Sequence, residues 1–347
     1  MSTVAQRNTG HDANFDVVHA NLLTLFPDLV RSLGGVPERL MTRAGMEPAF
    51  ASNDMPRLGY RSWVNALEHA ATELQCADFG MRLARLQGAR KIFGPMGTVM
   101  RNSRTFGEAL EYVANHLHAH SLAAGMRLVR DAGKVFSSHE ILVEGLPNKR
   151  QAIEQVMLLG HLTALEITGG RARVREVRFR HQPISSRSTY RAYFGAPVRF
   201  DQPEDGIVFS DQDLRCPIVD RDAHVYALAT SFIDTRFAGI APPMHVQVRA
   251  LVVRFIQTAD CSIERICREL GLHPRTLHRR LRAEGKSFDG VKDDVRRDIA
   301  LRYLQETDHS LTFIAEKLGY SEQSVLTRSC VRWFAASPSQ MRQRPAH

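Results

Sequence analysis

Arg275, Thr276, His278 and Arg279 lie within five residues of one another, and Gln323, Ser324, Thr327 and Arg328 lie within six, in a chain of 347 residues. These are side chains that recognise flat, hydrogen-bonding edges. A guanidinium donates two parallel bonds to guanine, a histidine donates to the guanine acceptors, glutamine suits adenine, and a threonine can touch the thymine methyl. Arginine also pairs with phosphate oxygens. Such residues act together only if something holds them on one exposed face. Helical spacing does so, because Arg275, His278 and Arg279 are three or four positions apart and the second group shares a face in the same way. For either stretch alone, a basic or polar helix face turned to water is the plainer alternative.

The elements that would position them form an internal repeat. Ile263-Glu264-Arg265-Ile266-Cys267-Arg268-Glu269-Leu270-Gly271-Leu272 is echoed by Leu311-Thr312-Phe313-Ile314-Ala315-Glu316-Lys317-Leu318-Gly319-Tyr320, at a constant offset of 48 residues. Each copy predicts a short helix with apolar residues at i, i+3 and i+7. Each has a small residue, Cys267 or Ala315, where two helices approach, and glycine at the turn. A second helix then carries an apolar residue six positions after the glycine, Leu277 or Val325. This is a helix-turn-helix pattern, with the second helix presented to the major groove. Pro274 suits an opening turn, and Leu277 and Leu281 point inward. Ser321 is the expected N-cap of the second copy's reading helix.

Between the copies, Phe288 to Gln305 predicts one amphipathic helix with Phe288, Val291, Val295, Ile299 and Leu304 apolar. As a rod it would set two reading helices into successive major grooves, about 34 Å apart, and so bind an asymmetric site as a monomer.

Charge follows the same division. The net charge is +9, and from Met244 onward there are 18 basic and 12 acidic residues against 28 and 25 before it. Most of the excess therefore sits in the C-terminal third, the footprint of a polyanion partner, or of a merely basic soluble surface. The chain is 44% hydrophobic and 24% charged, which places it among soluble globular proteins. No apolar run reaches bilayer length, and Met1 to Asn14 lacks a signal-peptide core. The expectation is a cytoplasmic protein with no membrane partner. The five cysteines form no CxxC pair, so neither a disulfide framework nor a thiolate zinc site is expected. No phosphate-binding glycine loop, GxSxG or HExxH is present. No catalytic residue, metal or cofactor is expected, and the chain does not read as an enzyme.

The organisation expected is a disordered tail over 1–14, a domain over 15–237, a linker over 238–245 around Ala238-Gly239-Ile240-Ala241-Pro242-Pro243, and a helical domain over 246–347. The first domain reads as α+β. Helices are expected over Phe15–Leu33, kinked or divided at Pro27, over Arg61–Leu74, from the capping box Thr105-Phe106-Gly107-Glu108 to about His118, over Gln151–Thr168, and over Asp222–Phe237. Strands are expected over Val135–Val143 and Val174–Arg180, and a turn at Gly94-Pro95-Met96-Gly97. His116, His118 and His120 would share a face and suit a metal on a strand, but the preceding helical pattern groups only His116 with His120. That favours a partly exposed helix end or the edge of a ligand pocket. Arg171, Arg173, Arg175, Arg178 and Arg180 read as a solvated strand face, with an anionic ligand or a further DNA contact as alternatives.

Residues from about Gln247 to Arg344 resemble the DNA-binding domain of the AraC/XylS family of transcription regulators. The resemblance rests on Ile266, Leu270-Gly271, Leu277 and Arg280-Leu281, on Arg296, Ala300 and Leu304, and on Ile314-Ala315, Leu318-Gly319-Tyr320, Thr327-Arg328, Arg332-Trp333, Ser337-Pro338 and Arg342. The chain departs from the family where aromatic residues usually stand (Leu326, Cys330), where a lysine is usual (Val331), and where glycine usually ends the helix (Ala335). These departures weaken the second unit's expected core, one phosphate contact and the local turn. The first domain is similar to the arabinose-binding-like sensing domain of the same family, through Gly80-Met81-Arg82-Leu83, Phe93 to Gly97, Ser103 to Leu110 and Tyr193 to Phe200. The resemblance implies an effector-binding and dimerising first domain whose effector is not necessarily arabinose. It also implies promoter DNA, a homodimer and RNA polymerase as partners, and an activator. A ligand-independent regulator whose first domain only assembles is the alternative. A DNA-modifying enzyme sharing this DNA-binding domain is less favoured, because the cysteines are scattered.

Overall fold

The computed structural model describes residues 17–46, 57–88, 92–146, 148–238, 242–258 and 260–343. The tail expected over 1–14 and most of Ala238–Ala241 lie outside these residues. The chain divides into two compact units, residues 1–143 with 148–241, and residues 144–147 with 242–347.

The first unit mixes helices with a sheet. It opens with β1 (Val17–His19), a 3-10 turn (Ala20–Leu23), α1 (Phe26–Ser32), α2 (Pro37–Arg43) and β2 (Arg57–Gly59). The helix expected over Phe15–Leu33, kinked or divided at Pro27, is therefore helical only from Phe26; a strand and a tight turn replace its first part. β1 pairs antiparallel with β2, and Pro27 sits in the first turn of α1, where it displaces no hydrogen bond. Then come α3 (Tyr60–Glu73), α4 (Phe79–Gln87), α5 (Gly94–Asn102) and α6 (Phe106–His116). Gly94-Pro95-Met96-Gly97 opens α5 and is not a free-standing turn. The Thr105 hydroxyl accepts from the Glu108 backbone at 3.2 Å, while the Glu108 carboxylate accepts from the Arg104 backbone at 2.7 Å, one residue before the cap.

The sheet contains β3 (Ala124–Asp131), β4 (Lys134–Ile141), β5 (Glu176–Arg178), β6 (Val198–Arg199) and β7 (Gly206–Ser210). Its spatial order is β3-β4-β7-β5-β6, antiparallel except for the β5–β6 pair. Interleaved with it are α7 (Arg150–Ile167), α8 (Arg187–Phe194), α9 (Asp211–Leu214) and α10 (Ala223–Arg236). α7 is the central helix and buries even its glutamines. Gln155 donates to Leu22 O at 2.8 Å and accepts from the Trp63 indole at 3.1 Å. Gln151 accepts from the Gly80 backbone at 2.7 Å and donates to Ala77 O at 2.8 Å. Every buried polar group so paired avoids the cost of about 1–3 kcal/mol that an orphan would carry. In α10 only Ile233 is buried, whereas Leu228 and Phe232 are exposed.

The second unit is all-helical: α11 (Met244–Phe255), α12 (Ile263–Leu270), α13 (Pro274–Ala283), α14 (Phe288–Glu306), α15 (Leu311–Lys317), α16 (Gln323–Phe334) and α17 (Pro338–Gln343). α11 starts two residues inside the stretch read as linker. One core runs through the unit, from Val248, Ile266, Leu277 and Leu281 by way of Val291, Val295 and Ala300 to Ile314, Leu318 and Leu326.

Candidate nucleic-acid interface

The repeat extends to its caps. Ser262 accepts from the Arg265 backbone at the start of α12, and Ser310 accepts from the Phe313 backbone at the start of α15. Gly271 and Gly319 follow these helices with φ of 61° and 68°, values that side chains with a Cβ resist. A Cβ on Gly271 would meet nothing within 4 Å, whereas one on Gly319 would lie 2.5 Å from Ile256 O. The second turn therefore needs glycine for space as well as for its backbone angle.

α13 is the helix expected to read DNA in the first helix-turn-helix. His273, not a serine or aspartate, caps it, its Nδ1 accepting from the Arg275 backbone at 3.3 Å, and Pro274 fills the opening turn. Leu277 and Leu281 are fully buried. Arg275, His278 and Arg279 are exposed with Arg280 and Arg282, and Thr276 is half-buried. Among the described residues, no acid or carbonyl engages the side chains of Arg275, His278 or Arg279. The guanidiniums are thus solvated and available.

α16 is organised differently. Ser321 does not cap it. The cap position is Glu322, without a side-chain cap bond, and the helix starts at Gln323. Leu326 rather than Val325 is the buried anchor; Leu326 and Cys330 are fully buried and Val325 only in part. The sites of the expected aromatic residues are thus filled by smaller apolar ones packed in the common core. Gln323, Ser324 and Arg328 are exposed and Thr327 is half-buried. Several of these groups are already engaged. Gln323 accepts from the Thr312 hydroxyl at 3.2 Å, Ser324 donates to Glu322 at 2.9 Å, and Thr327 donates to Gln323 O at 3.3 Å. Val331 is 53% exposed, so the surface position lacking lysine carries bare apolar area. Ala335 ends the helix in the left-handed region, with φ of 50°.

Sequence reasoning missed the groups that fasten these helices. At the end of α13, Glu284 accepts from the Met244 and His245 backbones at 2.7 and 2.9 Å and from His245 Nδ1 at 2.7 Å, so it caps α11. Burial opposes its charge, but those bonds and His245 hold its carboxyl below the usual range. From α14, Arg296 donates to Leu318 O at 2.9 Å and lies 4.3 Å over the Tyr320 ring. Asp293 accepts from Arg332 at 2.5 Å and from the Trp333 indole at 2.8 Å. Arg249 donates to Asp298 at 2.6 Å, tying α11 to α14. The 19-residue α14, about 28 Å long, is thus bonded directly to the second helix-turn-helix and, through α11 and Glu284, to the first.

Comparison with known proteins now adds to the geometry. Residues 34–218 match the family described as the arabinose-binding domain of AraC transcription regulator, N-terminal, and residues 266–344 match a helix-turn-helix domain family. The HTH-type transcriptional regulator VirS of Mycobacterium tuberculosis is 34% identical over 328 residues, 94% of this chain and 96% of its own. The chain belongs to the AraC family of transcription regulators. The ornithine utilization regulator of Pseudomonas aeruginosa is 24% identical over 92% of this chain and 94% of its own. The transcriptional activator NphR of a Rhodococcus species is 27% identical over 34% of this chain and 37% of its own. This AraC-family chain is a DNA-binding transcription regulator with an arabinose-binding-like N-terminal domain.

The other constellations in that N-terminal domain resolve as follows. Arg175 holds Asp213 through two bonds of 2.8 Å, Arg178 donates to Glu176 at 2.7 Å, and Arg171 and Arg173 donate to the carbonyls of Thr168 and Gly170. These four arginines brace the domain. α6 ends at His116, which stacks on Tyr112 with ring centres 4.0 Å apart. Its nearer histidine is His118, at 6.0 Å between ring centres, while His120 faces Phe93. Among the described residues no cluster of three metal-ligating side chains exists, and no helix is long and apolar enough to cross a membrane. Burial raises all five thiols, Cys76 and Cys330 to about 11, so none is a ready nucleophile.

The N-terminal domain also holds a cavity of about 100 Å³ between α5, α6 and α7 and the face of β3, β4 and β7. Phe93, Phe106 and Phe209 form part of its wall, with Met96, Met100, Met126 and Met157. Its polar lining comes from Tyr60, His120, Ser137, Ser138 and His139, and no Asp, Glu, Lys or Arg is among the described lining residues.

Proposed function

We propose that the protein is an effector-controlled activator that reads promoter DNA mainly through Arg275, Thr276, His278 and Arg279 of α13. Gln323, Ser324, Thr327 and Arg328 of α16 make a second, weaker contact. The observation that carries this reading is the set of exposed, unengaged basic side chains on α13, beside a turn that presents the helix away from the core. α14 sets the separation of the two contacts, which fall in successive major grooves on one face of the DNA. Effector control rests on the apolar-walled cavity in a domain of the arabinose-binding family. An effector shifts regulation only by binding one arrangement of the protein better than another. Activation, with RNA polymerase as partner, is the sign suggested by the relative named an activator. A homodimer is the expected assembly, for which Leu228 and Phe232 offer exposed apolar surface.

A genome-wide map of bound sites, repeated with Arg275→Ala, tests the reading. Loss of the bound sites in the variant supports it. An unchanged map overturns α13 as the main reader. Reporter expression from the mapped promoters gives the sign, and a fall on adding the protein would overturn activation.

A further inference from the structure

The cavity of the N-terminal domain is specific about what it can hold. Its volume of about 100 Å³ is comparable to an engineered apolar cavity of about 150 Å³ that takes up benzene. A single six-membered ring or a short chain fills it. The four methionines on its wall are unbranched and can readjust to a bulkier guest.

Polar capacity is small and concentrated on β4. Ser137 and His139 are two residues apart on that strand and so share a face. The His139 backbone donates to Asp205 O at 3.0 Å. His139 is half-buried; its Nε2 atom is covered by protein, and neither ring nitrogen has a hydrogen-bond partner among the described residues. Burial pushes the imidazole down to about 4, against the pull of Asp205 and with help from Lys149. At neutral pH it is therefore an uncharged ring with one donor and one acceptor. A buried polar nitrogen without a partner is destabilising unless something supplies the bond.

These features exclude much of the chemistry that the domain's family name suggests. A sugar would bury several hydroxyls against a wall that is mostly apolar and offers five polar side chains, leaving some of those hydroxyls unbonded. A carboxylate or an amino acid would bury charge with no counter-charge on the described wall.

We infer that this cavity binds a small, uncharged, mainly apolar molecule with a single hydrogen-bonding group, such as a monocyclic phenol, whose polar atom pairs with the His139 ring. The inference deepens the effector reading above and rests on it for the biological role, though binding itself does not depend on that role.

The test uses the full chain with phenol, toluene, L-arabinose and L-ornithine as probes, followed by calorimetry and by the shift in melting temperature. Phenol and toluene have nearly the same shape and differ in one hydroxyl. Phenol is expected to bind about tenfold more tightly than toluene, the scale of one recovered hydrogen bond, and the two polar probes not at all. In His139→Phe the preference for phenol should vanish while toluene still binds, which also shows that the variant is folded. His139→Gln, which keeps a donor and an acceptor, should retain part of the preference. Binding of arabinose or ornithine in place of phenol, binding of no probe, or a phenol preference that survives His139→Phe would overturn the inference. Affinity for a mapped promoter site, measured with and without each probe, separates it from the effector reading. If phenol binds through His139 and affinity for a mapped promoter site is unchanged, the ligand class stands and effector control through this cavity falls. If a polar probe alters DNA affinity and phenol does not bind, effector control stands and the ligand class falls.

Discussion

Ser262 and Ser310 cap equivalent helices, and Gly271 and Gly319 turn the chain at equivalent points, yet the two helix-turn-helix units use this common frame differently. In the first, α13 carries Arg275, Arg279, Arg280 and Arg282 on its exposed surface, and its turn glycine faces open space. In the second, α16 presents groups that already bond to Thr312 and Glu322, its turn is pressed against Ile256 O, and Arg296 clamps the carbonyl before it. The basic side chains on the first face are unengaged, whereas Gln323, Ser324 and Thr327 on the second already bond within the protein. The lesson is that a sequence repeat reports a repeated backbone. What each copy can bind depends on side chains that the repeat does not constrain.

The largest expected effect tests the two turns. Gly271→Ala meets only the left-handed backbone penalty, about 1–2 kcal/mol. Gly319→Ala adds a collision with a backbone carbonyl, for a total of about 3 kcal/mol. Urea unfolding of the two variants should rank them in that order. Equal costs would mean that α11 yields at Ile256 and that the second turn is no tighter than the first.

The reading faces come next. Arg275→Ala and Arg279→Ala should each weaken specific binding by about 1–3 kcal/mol and relax base preference at one position. Gln323→Ala should cost less than about 1 kcal/mol, because its amide already has an internal partner. Arg328→Ala should disturb a different part of the footprint from Arg275→Ala. Affinity measurements at fixed salt and footprinting give both answers. Changes at the same bases would break the two-groove arrangement.

The fastening of the first unit can be weakened through Glu284. The folded protein holds this carboxyl below its ordinary range, so its contribution is complete above about pH 4.5 and is lost as pH falls through the depressed value. Glu284→Gln should remove a cap worth about 1–2 kcal/mol at pH 7. It should also flatten the acid limb of a melting-temperature profile between pH 3 and 5. A variant as acid-sensitive as the parent would assign that limb to another carboxylate.

How far the sequence disclosed this arrangement depends on the range of the forces involved. The repeat, α14 and the exposed faces were legible because helical periodicity and turn glycines are local signals. Val18, Leu22, Leu25 and Leu29 also have helical spacing, and there the signal misled: pairing of Val17–His19 with Arg57–Gly59 overrode it. Ser321 looked like a cap and is not one, because α16 begins one residue after Glu322. Glu284, Arg296 and Asp293 were not visible as fasteners. Each joins residues 22 to 40 positions away, and no period marks such a pair. Alternation along β4 would group Ser137 with His139, but only the packed helices reveal that this face borders a cavity.

The smallest effect bears on the end of α16. Ala335 occupies the left-handed region at φ 50° and ψ 32°, its backbone donating to Val331 O at 3.0 Å. The turn that glycine usually supplies is therefore formed, and alanine is strained in it. Relief of that strain by Ala335→Gly is partly offset by the greater freedom glycine has in the unfolded chain. The net gain should be about 0.5–1 kcal/mol in thermal unfolding, with no change in the footprint. A gain in stability together with tighter DNA binding would mean that strain at Ala335 also misplaces α16, and that the second unit is weak by position as well as by the bonds its side chains already make. A loss of stability would mean that the Ala335 methyl packs usefully, although the residue is exposed. The weaker contact proposed for the second helix-turn-helix would then rest less on this turn than on the engaged polar groups of α16.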